Sequence, residues 1–213
     1  MKETLLRFNK KQKYVFFDYE TCNLNLASTR NKPWQLAFMV IQNNKILDKA
    51  DYILAWDDLQ VSPDAARITG FSMSKYNRKK SCPIEALNHF EKYLYDKEVL
   101  KVGHNLLGFD VYIHNIHRKL IGESPDYSYI NDVIDTLCLA KSIKKGIKSP
   151  KDSDRLSWQY RLLNHKEKGL KASLKQCCQD YDIPFDPSRL HDALYDIQKN
   201  QEVFQKMLWE VEV

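Results

Sequence analysis

Residues 13–21 read Lys-Tyr-Val-Phe-Phe-Asp-Tyr-Glu-Thr, and this segment indicates the class of fold. Its apolar run is short and nearly continuous, which predicts a buried central strand over residues 13–19. Side chains alternate along a strand, so Asp18 and Glu20 point to the same face at its end. Two neighbouring carboxylates in such a place repel each other and lose hydration unless a cation lies between them. The segment therefore predicts a cation site at the end of a central strand, although exposed strands also carry such pairs.

Further periodic segments follow this strand along the chain. Strands are predicted over 34–41 and 46–56, joined by a turn at Asn43-Asn44, and later over 99–102 and 133–136. Helices are predicted over 63–68, 84–95, 109–120, 137–142, 170–181 and 192–208. Three strands followed by alternating helices and strands predict an α/β fold, with a sheet of mixed direction and helices on both faces.

Length and composition exclude several classes of protein. The chain has 213 residues, 43% hydrophobic and 29% charged, which suits a single globular domain spanning 1–213. Its apolar runs are too short to cross a bilayer, and no secretory signal is visible. The five cysteines are odd in number and form no C-x-x-C pair, which argues for reduced thiols and against a disulfide framework or zinc site. We therefore expect a soluble, cytoplasmic protein without a membrane partner.

Positive charge is concentrated in one part of the chain. Ten cations and three acids lie between Lys141 and Lys171, a local net charge of +7, whereas the remainder sums to about −2. The connection 143–169 within this region shows no clear period, which is typical of a functional or mobile loop. Cations interleaved with aromatic side chains suit a single-stranded polyanion. The residues predicted to hold such a strand are Lys144, Lys145, Lys148 and Trp158. The alternative is a solvated loop whose lysines contact nothing.

Two more acids and a histidine are further candidate site residues because of their positions in the predicted elements. Asp110 follows a predicted strand and its loop, where open α/β sheets bind ligands, although helix caps are often acids too. Asp196 borders the apolar face of the last helix, which is unusual unless it is paired or binds metal. His191 comes just before that helix, where a purely structural histidine is the ordinary interpretation.

Three blocks of sequence, taken in order, resemble the motifs of the DEDDh group of DnaQ-like exonucleases. They are Phe17-Asp18-Tyr19-Glu20-Thr21, then His-Asn-Leu-Leu-Gly-Phe-Asp at 104–110, and His-Asp-Ala-Leu-Tyr-Asp at 191–196. Residues 62–72 and the Asp-Thr-Leu-Cys-Leu-Ala block at 135–140 carry secondary likenesses, so the resemblance covers about 13–210. Within the group, the chain is most similar to the nuclease domain of bacterial exonuclease I, which also has a long polar insertion after the turn that corresponds to Asp135-Thr136.

The resemblance implies a fold and a chemistry. The fold would be ribonuclease H-like, with a five-stranded mixed sheet flanked by helices. Two Mg²⁺ or Mn²⁺ ions, about 3.5–4 Å apart, would serve an in-line displacement at phosphorus. By this likeness Asp18 bridges the ions, Glu20 and Asp196 complete one site, and Asp110 holds the other partly through water. His191 would take a proton from the attacking water.

The resemblance also implies contacts with the substrate. Thr21 and Cys22 would contribute backbone groups at the terminal nucleotide, and His104 and Asn105 would lie beside it. Leu24 resembles the apolar wedge that packs against the last base, although a simple core leucine is the open alternative. One departure concerns Asn23, which stands where the family commonly has glycine. Asparagine tolerates a left-handed backbone, so we expect the turn to survive.

The expected activity is 3′→5′ removal of nucleoside monophosphates from single-stranded DNA, in DNA repair or replication. Two alternatives within the enzyme class are an RNA exonuclease and a proofreading exonuclease that binds a DNA polymerase or another replication protein. A third is a non-catalytic relative that only binds nucleic-acid ends or a partner protein. Because all five motif residues are present, the sequence disfavours this third alternative.

Overall fold

The computed structural model describes residues 5–26, 28–150 and 154–213. The described residues form six strands: β1 (Lys13–Thr21), β2 (Pro33–Gln42), β3 (Lys45–Leu54), β4 (Lys80–Ser81), β5 (Val99–Gly103) and β6 (Val133–Asp135). The same residues form eight α-helices: α1 (Pro63–Thr69), α2 (Met73–Lys79), α3 (Pro83–Leu94), α4 (Asp110–Leu120), α5 (Thr136–Lys145), α6 (Arg155–Asn164), α7 (Leu174–Asp180) and α8 (Ala193–Met207). None of these helices is long and apolar enough to cross a membrane.

The strands form one mixed sheet in the order β4-β3-β2-β1-β5-β6. β2 is antiparallel to β1 and β3, and the other neighbouring pairs are parallel. This architecture confirms the α/β, ribonuclease H-like class, but the expected five strands become six. The additional strand is β4, whose Lys80 and Ser81 pair with Ile53 and Leu54 at the sheet edge. A strand of two residues has no period, so the sequence pattern could not indicate it.

Local turn chemistry agrees with the sequence predictions. Asn43 and Asn44 join β2 to β3 with φ angles of 47° and 61°, the left-handed pair that a two-residue hairpin turn requires. α1 begins at its cap Ser62, whose side chain accepts the N–H of Ala65, and ends at Gly70 with φ 65°. The first three strands are therefore the predicted meander.

The alternation of β1 separates two apolar cores. Phe16 packs against Phe204 of α8, with ring centroids 5.8 Å apart. Phe17 faces the opposite side and packs against Phe90 of α3, with centroids 4.9 Å apart. Since side chains alternate along the strand, Asp18 lies on the same face as Phe16, beneath α8.

About half of the described residues of the predicted loop 143–169 are helical in the structure, so the prediction of a loop throughout was wrong. It contains the end of α5 and the whole of α6, while its residues 151–153 lie outside the described part of the chain. Trp158 and Leu162 are one helical turn apart and both are buried. Between them, the buried Gln159 accepts the N–H of Asp135 at 2.7 Å and donates to the carbonyl of Val133 at 3.0 Å. These bonds attach α6 to β6.

Candidate functional site

An open cleft of about 990 Å³ lies where β1 and β5 end. It is lined by all five motif residues: Asp18, Glu20, Asp110, His191 and Asp196. Four further predicted site residues also line it: Thr21, Leu24, His104 and Asn105. Residues separated by more than 170 positions in the sequence therefore share one cavity, as the resemblance to the exonuclease motifs implies.

Asp18 and Glu20 project from β1 towards the first turn of α8. Burial raises the pKa of Asp18 well above its usual range, and the nearby charges of Asp110 and Glu20 raise it further. Burial likewise raises the pKa of Glu20, with Asp196 as the strongest charged neighbour. Both carboxyl groups therefore lie where negative charge is costly.

Asp196 and His191 come together at the start of α8. The side chain of Asp192 caps the helix by accepting the N–H of Tyr195 at 3.3 Å, which fixes the first turn. His191 has a left-handed φ of 68°, and its backbone N–H donates to Asp196 Oδ2 at 3.1 Å. Ligand atoms of Glu20, His191 and Asp196 all lie within 4.8 Å of one another. The cap at Asp192 and the hydrogen bond from His191 to Asp196 thus fix the positions of the two motif residues relative to each other.

Asp110 is the first residue of α4, and its carboxylate also contacts the backbone of β1. Its Oδ1 accepts the backbone N–H of Tyr19 at 2.9 Å. β1 pairs with β5 only as far as Phe16 and Val102, so the edge of β1 beyond that point is open to this contact. Burial raises the pKa of Asp110 well above its usual range, although the bond from Tyr19 opposes the shift.

These acids fit a divalent cation. Asp196 Oδ1 is buried and has no hydrogen-bond partner among the described residues. Burial raises the pKa of Asp196 to about 7, with the neighbouring Asp192 adding to the shift. An orphaned carboxylate oxygen beside three further acids is costly unless a cation compensates it. The donors are hard oxygens, which suit Mg²⁺ or Mn²⁺.

A buried polar framework supports the cleft from below. Asp135 accepts the N–H groups of Asn105 at 2.9 Å and Leu107 at 3.0 Å, which holds the loop leading to Asp110. Thr136 Oγ1 lies 3.0 Å from His104 Nδ1 and donates to Asn200 Oδ1 at 2.7 Å. Burial lowers the pKa of His104 to about 4, so its imidazole is neutral.

Sequence reasoning missed the role of Asn200 in this framework. Asn200 is 2% exposed, lies one turn after Asp196 and faces the same cleft. An asparagine on the apolar stripe of α8 was the available signal, since buried amides are usually hydrogen-bonded.

Leu24 lies on the rim of the cleft with 81% of its surface exposed. This exposure excludes the alternative that it is a core leucine. The turn before it differs from expectation, because Asn23 does not adopt a left-handed backbone. Its carbonyl instead accepts the hydroxyl of Thr21 at 2.6 Å, and its N–H donates to Asn31 Oδ1 at 3.0 Å. These hydrogen bonds therefore hold the turn without the left-handed backbone that glycine would allow.

Cys22 does not line the cleft, contrary to expectation. Its side chain is 2% exposed. Its backbone N–H donates to the carbonyl of Lys32 at 3.1 Å, and its own carbonyl accepts the N–H of Ser62 at 3.3 Å. Both backbone groups are thus engaged within the chain, and we remove Cys22 from the candidate site.

The basic insertion also differs from expectation. Trp158 is only 4% exposed and belongs to the core, so bases cannot stack on it. Lys144 forms an ion pair with Asp180, and Lys145 forms one with Glu167. Lys148 is exposed, and none of these four residues lines the cleft. Asp180 lies outside the insertion and Glu167 lies 22 residues after Lys145, so no local sequence pattern indicates either ion pair.

Two lysines do line the cleft, and they differ in their partners. Lys141 Nζ donates to the carbonyls of Leu162, Leu163 and His165, at 3.0, 2.8 and 3.1 Å, and so closes the end of α6. Lys175 is exposed on α7. Sequence reasoning missed Lys175, because a single helical lysine outside the basic strip carries no pattern.

The comparisons with known proteins agree with this architecture. The model of the RNase_T family, described as exonuclease, matches residues 15–204. The chain is similar to E. coli exonuclease I in a zinc-bound complex with single-stranded DNA, with 17% identity and a TM-score of 0.69 over 93% of this chain. The same enzyme bound to a dT13 oligonucleotide gives 16% identity and a TM-score of 0.71 over 94%.

The chain spans about 40% of the exonuclease I chain in the first of these structures and 42% in the second. At such identity the likeness shows the fold, and it confirms the resemblance inferred from the motifs. No curated protein sequence matches the chain. The family model covers most of the sequence and includes all five motif residues that line the cleft. The chain therefore belongs to the RNase_T family of exonucleases.

Proposed function

We propose that the protein is a metal-dependent 3′→5′ exonuclease that releases nucleoside monophosphates from single-stranded DNA. The observation that carries the proposal is the convergence of Glu20, His191 and Asp196, whose ligand atoms lie within 4.8 Å in an open cleft. Asp18 and Asp110 line the same cleft. Four acids and one histidine around an accessible cavity suit phosphodiester hydrolysis.

The four acids, Asp18, Glu20, Asp110 and Asp196, would hold two Mg²⁺ or Mn²⁺ ions. Bound there, such ions supply charge stabilisation for the attacking and leaving oxygens at phosphorus. Support comes from the raised pKa values of all four acids and from the unpartnered Asp196 Oδ1. Each of these observations describes negative charge that lacks compensation from the chain itself.

His191 would accept a proton from the attacking water. Burial lowers the pKa of His191 below its usual 6.5, so the imidazole is neutral near pH 7 and able to take a proton. Its left-handed backbone and the bond from its N–H to Asp196 hold it at the mouth of the acid cluster. The strain of that backbone is consistent with a functional role.

Leu24 would pack against the last base, with Thr21, His104 and Asn105 along the floor of the cleft. An exposed leucine on a cleft rim gains free energy when an apolar surface covers it. Single-stranded DNA is the favoured substrate because the similar structures of exonuclease I contain such strands. Pairing in a duplex end would first have to be broken.

The test is a timed digestion with Mg²⁺ of single-stranded DNA, duplex DNA and RNA of the same sequence. With a 5′ label, 3′→5′ digestion gives a ladder that shortens with time. With a 3′ label, it releases labelled mononucleotide at the earliest times. The Asp18→Asn variant is the control for contaminating nuclease.

Other outcomes would select the alternatives. Immediate release of a 5′-labelled mononucleotide would overturn the direction. Faster digestion of RNA would overturn the substrate, and equal rates for wild type and Asp18→Asn would leave only a nucleic-acid-binding role.

A further inference from the structure

The cleft has two walls of different chemistry. One wall comprises Leu24 and the α1 residues Asp64, Ala65, Ile68 and Thr69. The other comprises the segment before α7 and the start of that helix: Leu170, Ala172, Ser173, Leu174 and Lys175. The first of these walls is attached to the end of β1, where the N–H of Ser62 donates to the carbonyl of Cys22, and the second packs in the same core as α8. The motif acids of β1 and α8 line the same cleft.

The α1 wall is mainly apolar. Leu24 and Ile68 are 81% and 45% exposed, and both line the cleft, so apolar surface is available there to a ligand. The Asp64 side chain is 91% exposed, and its carboxylate lies 3.8 Å from the guanidinium group of Arg67, which offsets part of its charge. Among the described residues, no lysine or arginine lines this wall. Such a surface offers apolar contact to bases and, on its lining, no cation to phosphates.

The α7 wall carries the available positive charge. Lys141 and Lys175 are the lysines of the cleft lining among the described residues, and Lys141 already donates to three carbonyl groups. Lys175 makes no hydrogen bond or ion pair within the part of the chain that the structure describes. Its ammonium group is therefore the one on this lining that remains for a ligand.

The backbone beneath Lys175 is fixed. Ala172 and Leu174 are 6% and 9% exposed and anchor the segment in the core. Ser173 caps α7 by accepting the N–H of Gln176 at 3.3 Å. A flexible lysine on a rigid base can follow a phosphate without reading sequence, since its ammonium group is a compact point charge.

We propose that Lys175 binds a backbone phosphate of the substrate strand, which lies with its phosphates along the α7 wall and its bases along the α1 wall. This inference rests on the proposed function, because it assigns the strand's orientation in the same cleft. It also replaces Lys144 and Lys145, which are paired with acids, as the principal cationic contact.

The first test measures binding of a fluorescent 15-nucleotide single strand to the Asp18→Asn protein over a range of salt concentrations. One lost phosphate contact should flatten the slope of log affinity against log salt by about 0.7, which is about fivefold in affinity between 1 M and 0.1 M salt. Lys175→Ala should show this change, and Lys175→Arg should restore the slope. The matched control is Lys97→Ala, which removes one exposed lysine just before β5, at the opposite end of the strands from the cleft.

The second test replaces the strand's phosphates one at a time by neutral methylphosphonates. One position should weaken binding to the parent protein but not to its Lys175→Ala derivative, because the two changes remove the same contact. In otherwise wild-type enzyme, Lys175→Ala should raise KM and leave kcat within about twofold.

The outcomes separate this inference from the proposed function. If Lys175→Ala matches Lys97→Ala in salt slope, and every methylphosphonate penalty survives, the strand orientation is wrong while exonuclease activity stands. If the wild-type protein neither binds nor degrades single strands, the proposed function itself fails. A fall in the melting temperature of Lys175→Ala, together with a salt slope that Lys175→Arg does not restore, would assign the lysine a structural role.

Discussion

The backbone N–H of Tyr19 donates to Asp110 Oδ1 over 2.9 Å, and this bond joins two segments that lie 91 residues apart. Tyr19 stands between Asp18 and Glu20 on β1, so the bond fixes the third acid relative to the first two. The same tyrosine lies against α4 a second time, where its hydroxyl meets His117 Nδ1 at 3.3 Å. His117 Nε2 in turn lies 3.1 Å from the carbonyl of Pro83. The spacing of the acids therefore depends on backbone and buried side-chain contacts outside the cleft.

Asp110→Asn and Asp110→Ala should differ in stability but share a loss of activity. Asparagine keeps an oxygen for the N–H of Tyr19, whereas alanine leaves that donor buried without a partner, at a cost of about 1–3 kcal/mol. Urea denaturation in EDTA should therefore rank alanine below asparagine. Equal free energies of unfolding for the two variants would show that the bond contributes nothing.

Asp18→Asn should stabilise the metal-free protein and abolish activity. The substitution removes a buried charge that burial and the neighbouring acids disfavour. Mg²⁺ should raise the melting temperature of the wild type, because a cation that binds only the folded state stabilises it. The same addition should shift the variant much less. Asp186→Asn, which changes an exposed acid outside the cleft, is the control. A lower melting temperature for metal-free Asp18→Asn would contradict the repulsion argument.

Metal-free protein should lose stability as pH rises from 6 to 8, in part through Asp196. Burial raises the folded pKa of Asp196 to about 7 from 3.8, so the folded state holds a proton that the unfolded state has released. Stability from this group is therefore present at low pH and is lost as pH rises through about 7. The expected difference between pH 6 and 8 is on the order of 1 kcal/mol.

The Asp196→Asn variant isolates this contribution from those of the buried histidines. Subtracting its pH profile from that of the wild type should leave a curve that falls with rising pH. A flat difference curve would mean that Asp196 ionises normally in the folded protein.

His191→Ala should reduce turnover by about 10²–10⁴-fold, the usual contribution of a general base. The melting-temperature rise on adding Mg²⁺ should survive, because four acids remain. Wild-type activity should fall as the solution is acidified below pH 6.5, since burial lowers the pKa of His191 and the protonated ring cannot accept a proton. His165→Ala, at a partly exposed histidine that pairs with Glu167 and does not line the cleft, is the matched control. An unchanged rate in His191→Ala would return this residue to a structural role.

Leu24→Ala should weaken substrate use without weakening the fold. The side chain is 81% exposed, so its removal leaves no cavity, in contrast to Leu36→Ala at a fully buried position. Losing its contact with the terminal base should raise KM about tenfold, from an apolar burial of about 1.5 kcal/mol. Steady-state kinetics and thermal melting measure the two effects separately. A melting temperature that falls as far as that of Leu36→Ala would place Leu24 in the core after all.

The sequence pattern of residues 13–21 predicted both a buried central strand and the face of that strand on which its acids lie. Alternation along β1 placed Phe16 and Asp18 on one face, as the structure has them beneath α8. The order of three strands followed by alternating helices and strands predicted the mixed sheet, and the likeness of three sequence blocks to exonuclease motifs predicted that five residues share one cleft. These features are local periods and chain order, which a sequence carries directly.

Tertiary structure alone decided which side chains are available to a ligand. Trp158 is buried and Lys144 is paired with Asp180, whereas Lys175 faces the cleft. β4 exists because two residues reach the edge of β3, not because of a pattern in their sequence. Burial and pairing depend on which segments pack together across the fold. The sequence therefore identifies each charged or aromatic side chain. Only the packing of the chain determines whether that side chain is buried, paired or exposed to solvent.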